Sequence, residues 1–279
     1  MKRLILFRCH LSDRFDPVDH LVLCKQRLDL LKELNPGAQI HILYGGLESG
    51  RALFGKYLGS LVDGFFVLTC GQQAQRYHFD SVLTEWFIRV GQHCSFDVLH
   101  VVEWDLLYTR PLAELYSHIP PDTLGLSGFG TTTIEAETDW SWVVDPAWRP
   151  RLLAFLGMIK QRYGLDEGGV LRCCFGPGHV FPRRFVEWLV EQQPVEQTVD
   201  EIQIPTYAEA GGFRACDNGI VRQWEFPLHK RYFNCDMLEI EPCAMAEQLL
   251  LADGRRVFHP VTRLLPKQML EVLLRATAE

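Results

Sequence analysis

The 279-residue sequence has no apolar run of the roughly 18 residues or more that would suggest a membrane-spanning helix. It also lacks an excess of positive charge. Lys and Arg number 28 against 35 Asp and Glu, for a formal net charge of -7. Sequence-independent nucleic-acid binding needs Lys/Arg surfaces that displace counterions from phosphates, so nucleic acid is not an expected partner. A local basic pocket for a small anion remains compatible with the charge. No CxxC pair occurs among the 9 cysteines, and no tetrahedral zinc spacing appears. Their scatter suits small buried hydrophobes in a reducing compartment, and a cytoplasmic location is the expectation. Near the amino terminus only Leu4–Phe7 is apolar before Arg8 and His10 intervene. That is shorter than a signal-peptide core of roughly 7–15 residues. Internal repeats, low-complexity tracts and a clean linker are absent as well.

Hydrophobic residues make up 47% of the chain and charged residues 23%, enough to bury a substantial core. Strand and helix signals alternate over the first two thirds. Leu4–Phe7 reads as a strand, and residues 17–34 as a helix stopped by Asn35-Pro36-Gly37. QIHILY (39–44) alternates and reads as a strand. GFFVL (64–68) is a short buried one, 79–90 a helix and 98–102 a strand. Leu124–Leu126 and Ser141–Val144 read as further strands, with Trp140 and Trp142 alternating on the second. Residues 149–163 and 181–192 read as helices. Short apolar strands separated by helices predict a mainly parallel sheet covered on both faces. Ligands of such sheets bind beyond the carboxyl ends of the strands.

One such end carries chemistry. FDVLHVVEWDLLYTRPL (96–112) is an apolar run followed by Glu103-Trp104-Asp105. Residues two apart on an extended segment face the same way, so Glu103 and Asp105 would share a face opposite Trp104. Neighbouring carboxylates repel unless a cation or proton lies between them. Hard divalent ions such as Mg²⁺ are held by one or two carboxylates together with substrate phosphates. A solvated strand end with acids ahead of Pro111 is the other reading of the same residues, and spacing alone leaves both open.

The arrangement resembles the GT-A class of nucleotide-sugar glycosyltransferases, in which an apolar strand ends in D-x-D or a variant such as E-x-D. Three later stretches follow in matching order: Phe175-Gly176-Pro177-Gly178-His179-Val180-Phe181, Asp200-Glu201, and Val257-Phe258-His259-Pro260. The resemblance spans roughly residues 1–263 and implies a single GT-A-like domain over 1–279. Within it, 1–110 would be a nucleotide-binding half, 111–263 a donor/acceptor half with an irregular last third, and 264–279 a C-terminal helix. It implies transfer of a sugar from a nucleotide-diphosphate sugar to a hydroxyl acceptor, with Mn²⁺ or Mg²⁺ on Glu103, Asp105 and His259. Arg8, Arg76, Asp80, Glu103, Trp104, Gly176 and Gly178 would contact the donor. If Glu103 instead contacts the ribose, Asp105 would carry the metal alone.

Asp200 is the expected catalytic base, with Glu201 second. Thr198-Val199-Asp200-Glu201 fits a capping box, which would spend Glu201 on structure and leave Asp200 free. Pro205 is expected to open the longer helix that follows. His229 and Lys230-Arg231 are weaker phosphate candidates. Trp140 or Trp142 offers a stacking face for an acceptor sugar, against core packing for both. Arg183-Arg184 suit an exposed helix face. A Gly-rich basic loop after the first strand, expected of a sugar nucleotidyltransferase, is missing. A non-catalytic nucleotide-sugar or glycan-binding protein on the same fold is the alternative.

Overall fold

A computed structural model of the chain describes residues 1–9, 15–70, 76–135, 137, 140–165, 168–221, 231–235 and 238–275. The fold is α/β, and it divides into two compact units that interleave along the chain. One comprises Met1–Val67, Asp97–His118 and Gly219–Glu279; the other comprises Leu68–Phe96 and Ile119–Asn218.

In the first unit, β1 (Arg3–Cys9) lies between β2 (Gln39–Tyr44) and β4 (Val98–Glu103), with β3 (Gly64–Val67) outside β2; all three pairings are parallel. Leu4, Ile5, Leu6 and Phe7 are all 0% exposed. A strand buried on both faces needs this continuous apolar run rather than alternation. Helix α1 (Pro17–Leu34) starts where Asp16 accepts from the amides of Val18 and Asp19, with Pro17 in its first turn. It stops at Asn35, whose Nδ2 donates to the Leu31 carbonyl at 2.9 Å. The Asn35 Oδ1 accepts from the Leu112 amide, so the same side chain ties α1 to the start of the short α4 (Leu112–Leu115). Helix α2 (Glu48–Leu58) connects β2 to β3.

The end of the chain returns to this unit. β5 (Leu107–Tyr108) pairs antiparallel with β9 (Val257–Phe258). Leu107, Phe258, Val261 and Leu265 share an apolar cluster with Leu30 and Leu34 of α1, Met245 of α9 (Pro242–Leu250) and Leu273 of α10 (Lys267–Arg275). Buried Arg27, 2% exposed, holds the segment after β9 by donating to the carbonyls of Val261 and Arg263 at 3.2 and 2.8 Å. Burial lowers its pKa to about 10, against the raising effects of Cys24, Asp105 and Glu239. Arg27→Ala leaves those carbonyls short of donors in a dry setting, so it is expected to cost about 2–4 kcal/mol in denaturant unfolding.

In the second unit, β6 (Thr123–Thr133) pairs antiparallel with β7 (Val170–Pro182) and parallel with β8 (Arg214–Asp217). Helices α3 (Phe79–Arg89), α6 (Arg149–Tyr163), α7 (Arg183–Gln192) and α8 (Asp200–Ala210) belong to it, with the short α5 (Ser141–Val144). Counting both units, four of the six described strand pairings are parallel. Ser141–Val144 is thus a turn of helix and not a strand. Four residues cannot separate the two periods, and the turn is closed by the Val144 amide on the Trp140 carbonyl.

Two other expectations fail locally. Phe175–Phe181 is not the exit of a strand. It lies inside β7, where the pairing slips between Ser127↔Phe175 and Gly125↔Val180. Pro177 has no amide to give the ladder, and Gly178 sits at φ 83°. The irregularity is stitched by Ser127 on the Pro177 carbonyl and by Asn218, which donates to Gly178 O at 2.7 Å and Ser127 Oγ at 3.0 Å. Pro205 lies within α8 and does not open it. Its ring removes the amide that would bond the Glu201 carbonyl, and the Cys174 thiol approaches that carbonyl at 3.5 Å instead.

Arg183 is more than an exposed face residue. It sits over the Phe96 ring at 4.9 Å and donates to the carbonyls of Cys94 and Gln92. No helix among the described residues is long and apolar enough to cross a membrane.

Candidate functional site

Two groups of chemistry-bearing residues emerge, one in each unit. In the first unit, β1 and β4 end together, with Arg8 paired in register with Glu103. The Arg8 guanidinium meets the Glu103 carboxylate at 2.9 Å. β4 stops at Glu103, and Trp104-Asp105 form a turn. The shared face expected of Glu103 and Asp105 therefore does not arise from an extended strand. Trp104 is drawn inward, with its ring 4.4 Å from His20 and 5.4 Å from Phe15. It is 3% exposed and packs, leaving little surface for a donor.

Asp105 and His259 are 7% exposed each, and their Oδ1 and Nε2 atoms lie 3.6 Å apart. The β5–β9 pairing and the Val261 amide on the Asp105 carbonyl at 2.8 Å bring these distant residues together. The His259 Nδ1 lies 2.7 Å from the Asn234 carbonyl. A carbonyl only accepts, so Nδ1 carries the hydrogen and Nε2 faces Asp105 either as a lone pair or as a second N–H. Burial disfavours the charged ring, yet Asp105 and the Asn234 carbonyl outweigh it and raise the His259 pKa. A cation between Asp105 and Nε2 would serve the same electrostatic purpose as that proton.

Among the described residues no three His, Cys, Asp or Glu side chains converge as a ready ligand set. Asp105 and His259 therefore offer two donors, and Glu103 is engaged by Arg8. Such a partial set fits an ion that takes its remaining oxygens from substrate phosphates and water, as Mg²⁺ commonly does. It does not fit a structural metal enclosed by protein ligands.

The second unit holds a buried acidic group. Asp200 begins α8 and is 5% exposed; its Oδ2 accepts from the Phe79 amide at 3.0 Å. Its neighbour Glu201 accepts from the Gly176 amide and the Trp142 indole, each at 3.1 Å. Asp80, on the first turn of α3, is 0% exposed and accepts from Gln203 Nε2. Burial first, and the Asp200 charge second, push both Asp80 and Glu201 up to about 8. Near neutrality these two carboxyls keep their protons, which the neighbouring Asp200 charge helps to hold on. Environments that separate neighbouring carboxyls in this way are how one fold assigns acid and base roles.

The capping box does not form. The residue before α8 is Val199, with no side-chain cap. Gln203 takes over instead: its Oε1 accepts from the amides of Gln197 and Thr198 at 3.1 and 2.8 Å. Glu201 is thereby released towards Gly176 and Trp142. Asp80, expected as a donor contact, is a fully buried acid. Arg76 is exposed and lies over the neighbouring Tyr77 ring at 5.0 Å. Gly176 meets the acid group through its amide, and the Gly178 carbonyl is taken by Asn218. His229 and Lys230 lie outside the described residues, and Arg231 pairs with Glu247 at 3.1 Å. Sequence reasoning missed Gln203, which no motif marks.

Asp80 makes a thermodynamic prediction. Its folded-state pKa of about 8 stands above the ordinary carboxylate range. The folded state therefore holds a proton that the unfolded chain has released. Asp80's contribution to stability is fully present below about pH 4 and is lost as pH rises towards 8, at up to about 1.4 kcal/mol per pH unit. Asp80→Asn mimics the protonated acid. In denaturant melts it is expected to gain stability over the parent at pH 8, by about 2–5 kcal/mol, and to flatten the fall between pH 5 and 8. A loss of stability at pH 8 would contradict the buried-acid reading.

No family model matches the chain, and no curated protein matches it in sequence. Solved structures similar at long range include the following two. The apo-form glycosyltransferase GlyE of Streptococcus pneumoniae TIGR4 is 12% identical with a TM-score of 0.36, over 78% of this chain and 46% of that one. The chain thus spans less than half the length of that protein. A 4-diphosphocytidyl-2C-methyl-D-erythritol synthase is 10% identical with a TM-score of 0.42, over 78% of this chain and 90% of that one. At such distances neither likeness decides an activity, and the functional reading has to come from the side chains.

Proposed function

We propose that the chain is a GT-A-like glycosyltransferase that moves a sugar from a nucleotide-diphosphate sugar to a hydroxyl acceptor, using Mn²⁺ or Mg²⁺. The observation that carries the reading is the Asp105–His259 pair beyond the carboxyl end of β4, where the Nδ1 anchor on Asn234 aims Nε2 at a carboxylate 3.6 Å away. Parallel strands deliver ligands to that edge.

The first unit is assigned the donor. A divalent ion held by Asp105 and His259 would neutralise the charge that develops on the leaving diphosphate. Arg8 and Glu103 pair at the same strand ends, where Arg8 orients the base and Glu103 the ribose. The second unit is assigned the acceptor. Asp200 accepts the proton of the attacking hydroxyl, because Asp80 and Glu201 hold their own protons and cannot serve as the base. That role makes the reaction inverting. Glu201 keeps Gly176 and Trp142 in position beside it.

The test is release of free nucleoside diphosphate from UDP-, GDP- and other nucleotide sugars with Mn²⁺ present. Release with at least one donor, abolished in Asp105→Ala, supports the enzyme. Tight binding with no release or transfer from any donor would make the chain a binding protein instead.

A further inference from the structure

Three aromatic rings meet in the second unit beside Glu201. Trp142 of α5 and Trp148, just before α6, have ring centroids 4.7 Å apart at an interplanar angle of 84°. Tyr77, just before α3, lies edge-on to both, at 5.2 Å from Trp142 and 5.7 Å from Trp148. None of the three is buried and none is fully exposed. The rings are partly open to water, and polar contacts hold two of them in place. The Trp142 indole donates to Glu201 at 3.1 Å, and the Arg151 guanidinium lies over the Trp148 ring at 4.5 Å. Arg76 stands over Tyr77 at the edge. A second feature borders the cluster. His78 is 1% exposed with its ring 6.5 Å from Trp148, and its Nδ1 has no hydrogen-bond partner among the described residues.

We propose that Tyr77, Trp142 and Trp148 form a platform that binds a carbohydrate, with the apolar C–H face of a sugar ring on the aromatics and its hydroxyls towards the charged rim. The mixture of apolar faces and converging polar groups is what a sugar needs. A lipid chain would need a continuous apolar groove, whereas the guanidiniums of Arg76 and Arg151 border these rings. A nucleobase would slot between parallel faces, whereas these rings meet edge to face. Carbohydrate binding stands on this geometry alone. That the carbohydrate is the acceptor rests on the proposed transferase reading and on Trp142 touching Glu201, the residue next to Asp200.

Saturation-transfer NMR and tryptophan-fluorescence titration with methyl glycosides, maltose, cellobiose, lactose and chitobiose test the platform, with UMP and AMP as competitors. At least one saccharide is expected to bind, and Trp148→Ala to weaken it roughly 3- to 10-fold, with Trp148→Phe keeping most of the affinity. Tyr77→Ala provides a second variant should Trp148→Ala not fold. The proposal is overturned if no saccharide of the panel binds, if Trp148→Ala and Tyr77→Ala bind as the parent does, or if the nucleotides occupy the platform in their place. Thermal shift with UDP and GDP in Mn²⁺ on the same samples separates the two ideas. A diphosphate shift without saccharide binding overturns the platform alone, and saccharide binding without a diphosphate shift overturns the nucleotide-sugar reading alone.

Discussion

Asp200→Asn is expected to slow sugar transfer by about 10²–10⁴-fold, the usual range for a lost general base. The substitution keeps an oxygen for the Phe79 amide, so the start of α3 and the start of α8 stay joined. What disappears is the carboxylate whose charge helps to keep the protons on Asp80 and Glu201. Asp80 and Glu201 cannot replace it below about pH 8, since burial and the Asp200 charge itself hold their protons on. Removing that charge also relaxes both neighbours downward, so a residual rate carried by either should rise at a lower pH than their parent values of about 8. Single-turnover transfer measured from pH 6 to 9 reads both effects. A variant with the parent's rate would remove Asp200 from the chemistry and point to a retaining reaction.

The second large effect concerns Asp105. Asp105→Asn should weaken metal-dependent diphosphate binding by more than about 100-fold, because even outer-shell changes at metal sites cost roughly 10–100-fold. The amide is a poor ligand for a hard cation. It also removes the carboxylate that raises the His259 pKa, leaving burial to keep that ring neutral. The backbone carbonyl of Asp105 still accepts from Val261, so the β5–β9 connection survives and the unliganded protein should melt within a few degrees of the parent. Titration calorimetry of the diphosphate with Mn²⁺ separates the two readings of Glu103 as well. If Glu103 serves the ribose, Glu103→Gln should weaken binding with and without Mn²⁺ alike.

Several elements were legible before any coordinates. Helix α1 and strand β2 were readable to the residue, because Asn35-Pro36-Gly37 stops one and alternation marks the other. α6 coincides with its reading as residues 149–163, and in the structure Gly164 ends it at φ 71°. What misled was local pattern overruled by distant partners. The capping box at Thr198 is sound chemistry, but Gln203 reaches the amides first. Glu103 and Asp105 would share a face on an ideal strand, but aromatic packing on Trp104 turns the chain. The Asp105–His259 pair was nameable only as two separate candidates, since the β5–β9 pairing that joins them is two residues long on each side. The aromatic platform was half visible: Trp142 stood out, while Tyr77 and Trp148 carried no periodic signal.

The most direct test of the central claim is a thermal-shift titration of the intact chain with UDP, GDP and CMP, each with and without Mn²⁺. A ligand that binds only the folded state raises its melting temperature by mass action. The account predicts a shift for one nucleoside diphosphate that needs Mn²⁺ and vanishes in Asp105→Asn. No shift with any nucleotide, or a shift indifferent to both Mn²⁺ and Asp105, would contradict it.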